Sequence, residues 1–79
     1  MVKKITELRS KESAKVISIE GGQNFREKLN TLGIREDIKI KKMSDSFLKG
    51  PIVLKINLME IAIGWRMADK ILVQTDLLK

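Results

Sequence analysis

The spacing of apolar residues constrains this fold more than any other feature, because only one segment has the period of an α-helix. Phe25, Leu29 and Leu32 lie at i, i+4 and i+7, and polar residues occupy the other faces of that segment. The other apolar residues fall mostly in short runs that alternate or are rich in β-branched side chains. One helix and several strands joined by hairpin-length connections cannot form a parallel α/β sheet. We therefore predict a small, mostly antiparallel β-barrel.

The predicted barrel has about five strands and one short helix, and the whole chain, residues 1–79, forms one domain. The helix is predicted over residues 24–32, with Asn24 or Gln23 as the N-cap and Gly33 at the C′ position, where a positive φ is favourable. Ile34 is placed for the apolar contact that often accompanies such a cap. The strands are predicted at residues 14–19, 37–41, 52–56, 59–63 and 71–75.

Three shorter segments flank or connect these elements. Residues 3–13 are predicted to be a polar lead-in that packs over one end of the barrel through two apolar anchors. The alternation changes phase at Asn57-Leu58, which predicts a tight hairpin after which Met59 points inward. Residues 65–70 are long enough for one helical turn only.

The composition argues against catalysis and against tight metal binding. The sequence contains no cysteine and no histidine, which removes disulfides, the usual zinc ligands and the commonest general base. Glu36-Asp37 is the only closely spaced pair of carboxylates, and carboxylates alone bind ferrous iron weakly. The chain also lacks a P-loop or similar phosphate-binding motif. We predict a non-enzymatic binding protein with no cofactor and no functional metal site.

The charge favours an acidic partner without identifying its class. The formal net charge is +6 and the isoelectric point is near 9.8, which suits nucleic acid, a membrane surface or an acidic protein face. No apolar run reaches the roughly 18 residues of a transmembrane helix. No apolar segment typical of a secretory signal follows Lys3 and Lys4. We expect a cytoplasmic protein, peripheral at the inner face of the membrane.

Seven residues are candidates for a partner interface: Phe47, Leu48, Trp65, Arg66, Met67, Lys39 and Lys41. Phe47 and Leu48 lie in a polar loop, where they either contact a partner or fold back onto the barrel. Trp65 is the only tryptophan, and it either serves as an interface anchor or closes the barrel end. Arg66 is a site for an acidic partner or is solvated, and Met67 is an adaptable contact residue or fills a gap in the core.

The remaining candidates are lysines. Lys39, Lys41, Lys42 and Lys55 would share one outer region if the second and third predicted strands pair. Such a face can bind phosphates, but the chain has only two Phe, one Trp and no Tyr to stack on bases. A solvated face or a contact for an acidic protein surface is the preferred interpretation.

Several short stretches carry recognisable motifs, and in order along the chain they are Gly21-Gly22, Arg26 to Ile34, Gly50-Pro51-Ile52-Val53, Ile61-Ala62-Ile63 and Ala68 to Val73. In this order they resemble the FeoA family of ferrous iron transport proteins. The resemblance covers nearly the whole chain. It implies an SH3-like barrel and a cytoplasmic role beside FeoB, a ferrous iron transporter that carries a GTP-binding domain.

The chain also departs from the family pattern in its turns. Members usually carry a glycine turn before the first strand and another after the helix, where this chain has Lys11-Glu12 and Glu36-Asp37. Because glycine provides a positive φ in such turns, we expect different turn types at both places.

Two functions follow as expectations. The first is an accessory protein that docks on the FeoB-type transporter and alters its assembly or its GTPase cycle, with any nucleotide bound by the transporter. The alternative is a basic SH3-like domain that binds nucleic acid. A weak homo-oligomer through exposed strand edges is compatible with either function, although the sequence does not require it.

Overall fold

The computed structural model describes residues 1–44 and 48–75, which form an antiparallel sheet of six strands with one short helix. In chain order the elements are β1 Val2–Lys4, a 3₁₀ turn Ile5–Glu7, β2 Ser13–Ile19, α1 Gln23–Thr31, β3 Lys39–Lys42, β4 Ile52–Ile56, β5 Met59–Ile63, α2 Trp65–Ala68 and β6 Ile71–Thr75. The strand order is β1-β6-β2-β3-β4-β5, and every neighbouring pair is antiparallel. The predicted mostly β fold with one helix is confirmed.

The core lies on the concave side of the curled sheet and is made of branched aliphatic residues from nearly every element. Alternation places these side chains inside, because every second residue of a strand faces the same way. The largest fully buried side chains are Ile5, Val16, Leu29, Ile34, Ile40, Ile52, Leu54, Ile71 and Val73. The helix α1 contributes Leu29, and Phe25 and Leu32 pack partly buried against the same cluster.

The segment before β2 contains a strand that the sequence pattern does not indicate. Val2–Lys4 pairs with β6, whereas the prediction for residues 3–13 was a polar lead-in without a strand. Three residues are too few to show a period of two, so the pairing comes from the open edge that β6 offers. The two apolar anchors, Ile5 and Leu8, are buried as expected.

The two ends of α1 differ in how well they follow the prediction. The helix begins at Gln23 with Gly22 as an extended N-cap that makes no side-chain hydrogen bond, so the prediction of Asn24 or Gln23 as N-cap was wrong. At the C-terminus Gly33 has φ +96° and donates to the carbonyl oxygen of Asn30 at 2.9 Å. The Ile34 amide donates to Leu29 at 2.9 Å, which completes a Schellman motif, and the predicted cap is confirmed.

Both turns that lack the expected glycine keep a positive φ. Lys11 has φ +74° and Asp37 has φ +72°, so the expectation of different turn types was wrong. Each residue is held by a backbone bond: Lys11 N–H donates to Lys42 at 2.6 Å and Asp37 N–H to Val16 at 2.7 Å. Sheet pairing therefore fixes the turn, and a left-handed conformation costs a non-glycine residue roughly 1–2 kcal/mol.

The β4–β5 hairpin forms at Asn57-Leu58 as predicted, and Asn57 adopts φ +56°. Met59 is opposite the buried Ile56 and therefore on the core side of the sheet as predicted, but it is 55 % exposed and not buried. In the described part of the chain β5 is an edge strand with one neighbour, β4, so only its Ile63 end is buried. Leu58 at the turn is 95 % exposed.

Candidate partner-binding surfaces

Four lysines lie together on the outer face of three adjacent strands, and we call them the lysine face: Lys15 on β2, Lys39 and Lys41 on β3, and Lys55 on β4. Their neighbours Ala14, Val16, Ile40, Leu54 and Ile56 are all buried, which puts these lysines on the outer side. Lys15 is directly opposite Lys39, and Lys41 is directly opposite Lys55. Directly opposed residues have Cα atoms about 4.5–5.5 Å apart, so four positive charges share a small area.

This arrangement opposes folding rather than assisting it. Like charges directly opposite each other on neighbouring strands are destabilising. The nearest carboxylate on this side in the register is Glu60 on β5, opposite Lys55. The ion pairs of the described residues, Lys3–Glu12 and Lys4–Asp69, do not involve this face, so Glu60 is left to offset part of its positive charge. The face therefore presents a concentrated positive potential to solvent.

Lys42, which was predicted to share this outer region, lies on the opposite side of β3. It is 2 % exposed, and its Nζ donates to the carbonyl oxygens of Leu8 at 2.7 Å and Thr6 at 3.4 Å. Lys42 follows the buried Ile40 by two residues, so strict alternation places it inside. The same rule would have identified Lys15, which sequence reasoning missed although Ala14 and Val16 flank it.

A second surface forms where the loop before β4 meets α2. The Lys49 ammonium lies 5.2 Å from the centroid of the Trp65 ring, a cation–π contact of roughly 0.5–1 kcal/mol at an exposed site. Leu48, which precedes Lys49 in the chain, is 85 % exposed. Arg66 is exposed, whereas Met67 is partly buried against the core. We call these residues the loop–α2 surface.

Trp65 packs partly buried against the core, so it helps to close this end of the sheet, and its role as an interface anchor stays a prediction. Phe47, the remaining candidate of this loop, lies outside the described residues.

The structure separates the predicted interface residues into two surfaces. Lys41 is opposite Lys55, so continuing the same register places Lys39 level with Asn57. Asn57 follows the C-terminal end of β4, where the chain turns into β5. Leu48 precedes the other end of β4, which begins at Ile52. Five residues of strand separate these positions by roughly 16 Å. Lys39 therefore does not adjoin the loop–α2 surface, and Lys41, level with Lys55, lies between the two ends of β4.

An open depression of about 410 Å³ lies at one end of the sheet, lined by Met1, Lys3, Arg9, Ser10, Lys11, Glu12 and Thr75. The Arg9 amide donates to Glu12 Oε1 at 2.8 Å, and Lys3 Nζ lies 3.6 Å from Oε2. The Arg9 hydrogen bond, and after it the Lys3 charge, lower the pKa of Glu12 against the opposing effect of burial. Glu12 thus fastens the turn before β2 to β1, which is a structural role.

The described residues contain no group of three or more acidic side chains that could hold a metal ion. Among the helices of residues 1–44 and 48–75, none is long and apolar enough to cross a membrane.

The fold and surfaces define a small SH3-like β domain whose exposed features are suited to binding. The chain belongs to the FeoA family, since the FeoA domain profile matches residues 3–75. Family membership implies a role in ferrous iron uptake. A search of curated proteins gives no significant match.

Solved structures agree with this assignment. The crystal structure of an iron uptake regulatory protein (FeoA) is similar with a TM-score of 0.87 and 28% identity, over 94% of this chain and 97% of that one. A FeoA protein from Chlorobium tepidum has a TM-score of 0.82 and 27% identity, over 92% of this chain and 70% of that one. A manganese-dependent transcriptional repressor reaches 0.85 at 17% identity over 94% of this chain. This chain spans 41% of the length of the repressor. At this low identity, the similarity shows a shared fold and nothing about function.

Proposed function

We propose that this protein is a non-enzymatic cytoplasmic accessory of ferrous iron uptake, which docks on a FeoB-type transporter at the inner face of the membrane. It alters the assembly or the GTPase activity of the transporter, and the transporter itself binds the nucleotide. The observation that carries this proposal is the FeoA domain match over residues 3–75, joined to a fold with exposed binding surfaces.

The docking residues proposed are those of the loop–α2 surface, with Phe47 in the adjoining part of the loop. Leu48 is 85 % exposed, and the next residue, Lys49, contacts the Trp65 ring. Aromatic side chains are enriched among the residues that dominate interface energies. Arg66 adds a positive charge beside them, and Met67 adapts to partners of irregular shape. Lys39 and Lys41 add a second, electrostatic contact that steers the approach of an acidic partner.

A pair of matched leucines tests the apolar contact. Leu48→Ser and Leu58→Ser each remove one highly exposed leucine, from opposite ends of β4, so neither should alter the core. We expect Leu48→Ser to weaken binding to the detergent-solubilised transporter tenfold or more and Leu58→Ser to leave it unchanged, as measured by calorimetry. Equal affinities of both variants and the wild-type chain would contradict the assignment of this surface.

The lysine face favours a second candidate, nucleic-acid binding, because phosphates are attracted to clustered lysines. The described residues of that face include no aromatic ring on which a base could stack. Fluorescence anisotropy with mixed RNA and DNA oligonucleotides tests this candidate. Tight binding by RNA or DNA, together with no affinity for the transporter, would establish it in place of the transporter role.

A further inference from the structure

The lysine face is bordered by the most exposed apolar residue among those described. Leu58, 95 % exposed, stands at the β4–β5 turn. Met59 beside it is opposite the buried Ile56, so its side chain lies on the other side of the sheet from the lysines. The register places Lys39 level with Asn57, one residue from Leu58. Lys55 lies on the same hairpin, three residues before Leu58. An exposed apolar tip and a group of lysines therefore occupy the same end of the sheet.

Neither feature contributes to the stability of the fold. The lysines oppose each other in two like-charged pairs, and Leu58 makes almost no buried contact. Replacing either by neutral polar residues would leave the described core intact, because all of these side chains point away from it.

The combination favours one class of partner. Proteins that bind single-stranded nucleic acid usually add stacking rings to their charge, and the described part of this face lacks them. An apolar tip also has no role against phosphates. Lysine is a compact point charge, whereas bidentate recognition of carboxylate or phosphate on a protein or nucleotide favours arginine. An anionic bilayer offers diffuse negative charge at its surface and an acyl region just beneath it. That surface matches a positive face whose rim carries an exposed leucine, Leu58.

We propose that the lysine face and Leu58 at the β4–β5 turn form a binding surface for an anionic lipid bilayer. The lysines contact the headgroups, and the turn inserts the Leu58 side chain into the headgroup–acyl boundary. This contact requires no transporter, so it stands or falls separately from the function proposed above. It also leaves the loop–α2 surface free, since that surface lies at the other end of β4, and the domain can engage a membrane and a membrane protein together.

Co-sedimentation with vesicles tests the proposal. The wild-type chain is mixed with vesicles of phosphatidylcholine containing one quarter phosphatidylglycerol, or with phosphatidylcholine alone, at moderate salt. We expect binding to the anionic vesicles only, weakening as salt increases. One lysine near such a surface contributes roughly a factor of five to the partition constant. Lys15→Gln/Lys39→Gln, which removes one opposed pair, should therefore lower binding about 25-fold.

The matched control is Arg26→Gln/Lys28→Gln, which removes two exposed charges from α1 and also lowers the formal net charge from +6 to +4. We expect less than a threefold effect, because α1 packs on the core through Leu29 and does not cover the lysine face. Leu58→Ser should lower binding severalfold with no change in net charge. Thermal unfolding of each variant checks that all are folded.

Three outcomes would overturn the proposal. Absence of binding to anionic vesicles refutes it directly. Equal losses in the two double variants would mean that net charge acts without this face. Tight binding of RNA that depends on Lys15 and Lys39, with no vesicle binding, would assign the surface to nucleic acid instead. Because the vesicles hold no protein, none of these outcomes bears on the transporter proposal.

Discussion

Replacing Lys42 with methionine should destabilise the fold strongly, although the two side chains are similar in length. The Lys42 ammonium donates to the carbonyl oxygens of Leu8 and Thr6, and so ties the segment between β1 and β2 to β3. Methionine has no donor, so the well-buried Leu8 carbonyl loses its 2.7 Å partner and the longer Thr6 contact is lost as well. An unsatisfied buried acceptor costs about 1–3 kcal/mol. We expect the free energy of unfolding to fall by about 2–4 kcal/mol.

For a domain of this size, each kcal/mol corresponds to a shift of about 4–8 °C in Tm. Thermal and urea unfolding followed by circular dichroism should therefore show a loss of about 10–25 °C in Tm. Lys39→Met is the matched control, because it lies on the same strand with its side chain exposed, and it should change stability by less than about 0.5 kcal/mol. In some proteins a buried charged residue can be replaced by an apolar residue without loss of folding stability. A Lys42→Met variant as stable as the wild-type chain would show that this case applies and that our reasoning is wrong.

Three further predictions concern turns and caps. Lys11→Gly should raise the free energy of unfolding by about 0.5–1 kcal/mol because it relieves a positive φ, while Lys11→Ala should not; equal effects in urea melts would count against strain at this turn. Gly33→Ala should cost about 1–2 kcal/mol at φ +96°, and an unchanged urea midpoint would refute the cap argument. Because the pKa of Glu12 is lower in the folded state, its contribution is present above its unfolded pKa and is lost as pH falls through the folded value. Urea melts of the wild-type chain and of Glu12→Gln between pH 6 and 3 should therefore give free energies of unfolding that converge at the acid end. A difference in this free energy that stays constant with pH would contradict the lowered pKa.

Local patterns predicted the elements that have a clear period or a specific cap. Residues 52–56 and 59–63 alternate cleanly, and both strands appear with the predicted bounds. The cap at Gly33 follows from the left-handed conformation that glycine adopts without strain. β1 was missed because a three-residue strand has no readable period and depends on an edge supplied from the far end of the chain.

The candidate surfaces were predicted less completely than the fold. Lys39 and Lys41 are on the outer side as expected. Lys42 was predicted to be on the outer side because of its charge, but its position in the alternation of β3 places its side chain inside. Alternation with Ala14 and Val16 places Lys15 on the outer side, but its position beside Lys39 depends on the long-range pairing of β2 with β3, which a single sequence does not specify. The exposure of Leu58 could have been inferred, since the second residue of a two-residue hairpin turn points away from both strands.

Titration of the purified chain into a purified FeoB-type transporter, with the GTP hydrolysis rate and the oligomeric state of the transporter followed in parallel, tests the central claim most directly. We predict saturable binding accompanied by a change in GTP hydrolysis or in transporter assembly. Binding that stays undetectable up to about 100 μM at moderate salt, a limit of about −5.5 kcal/mol, would contradict the proposed accessory role.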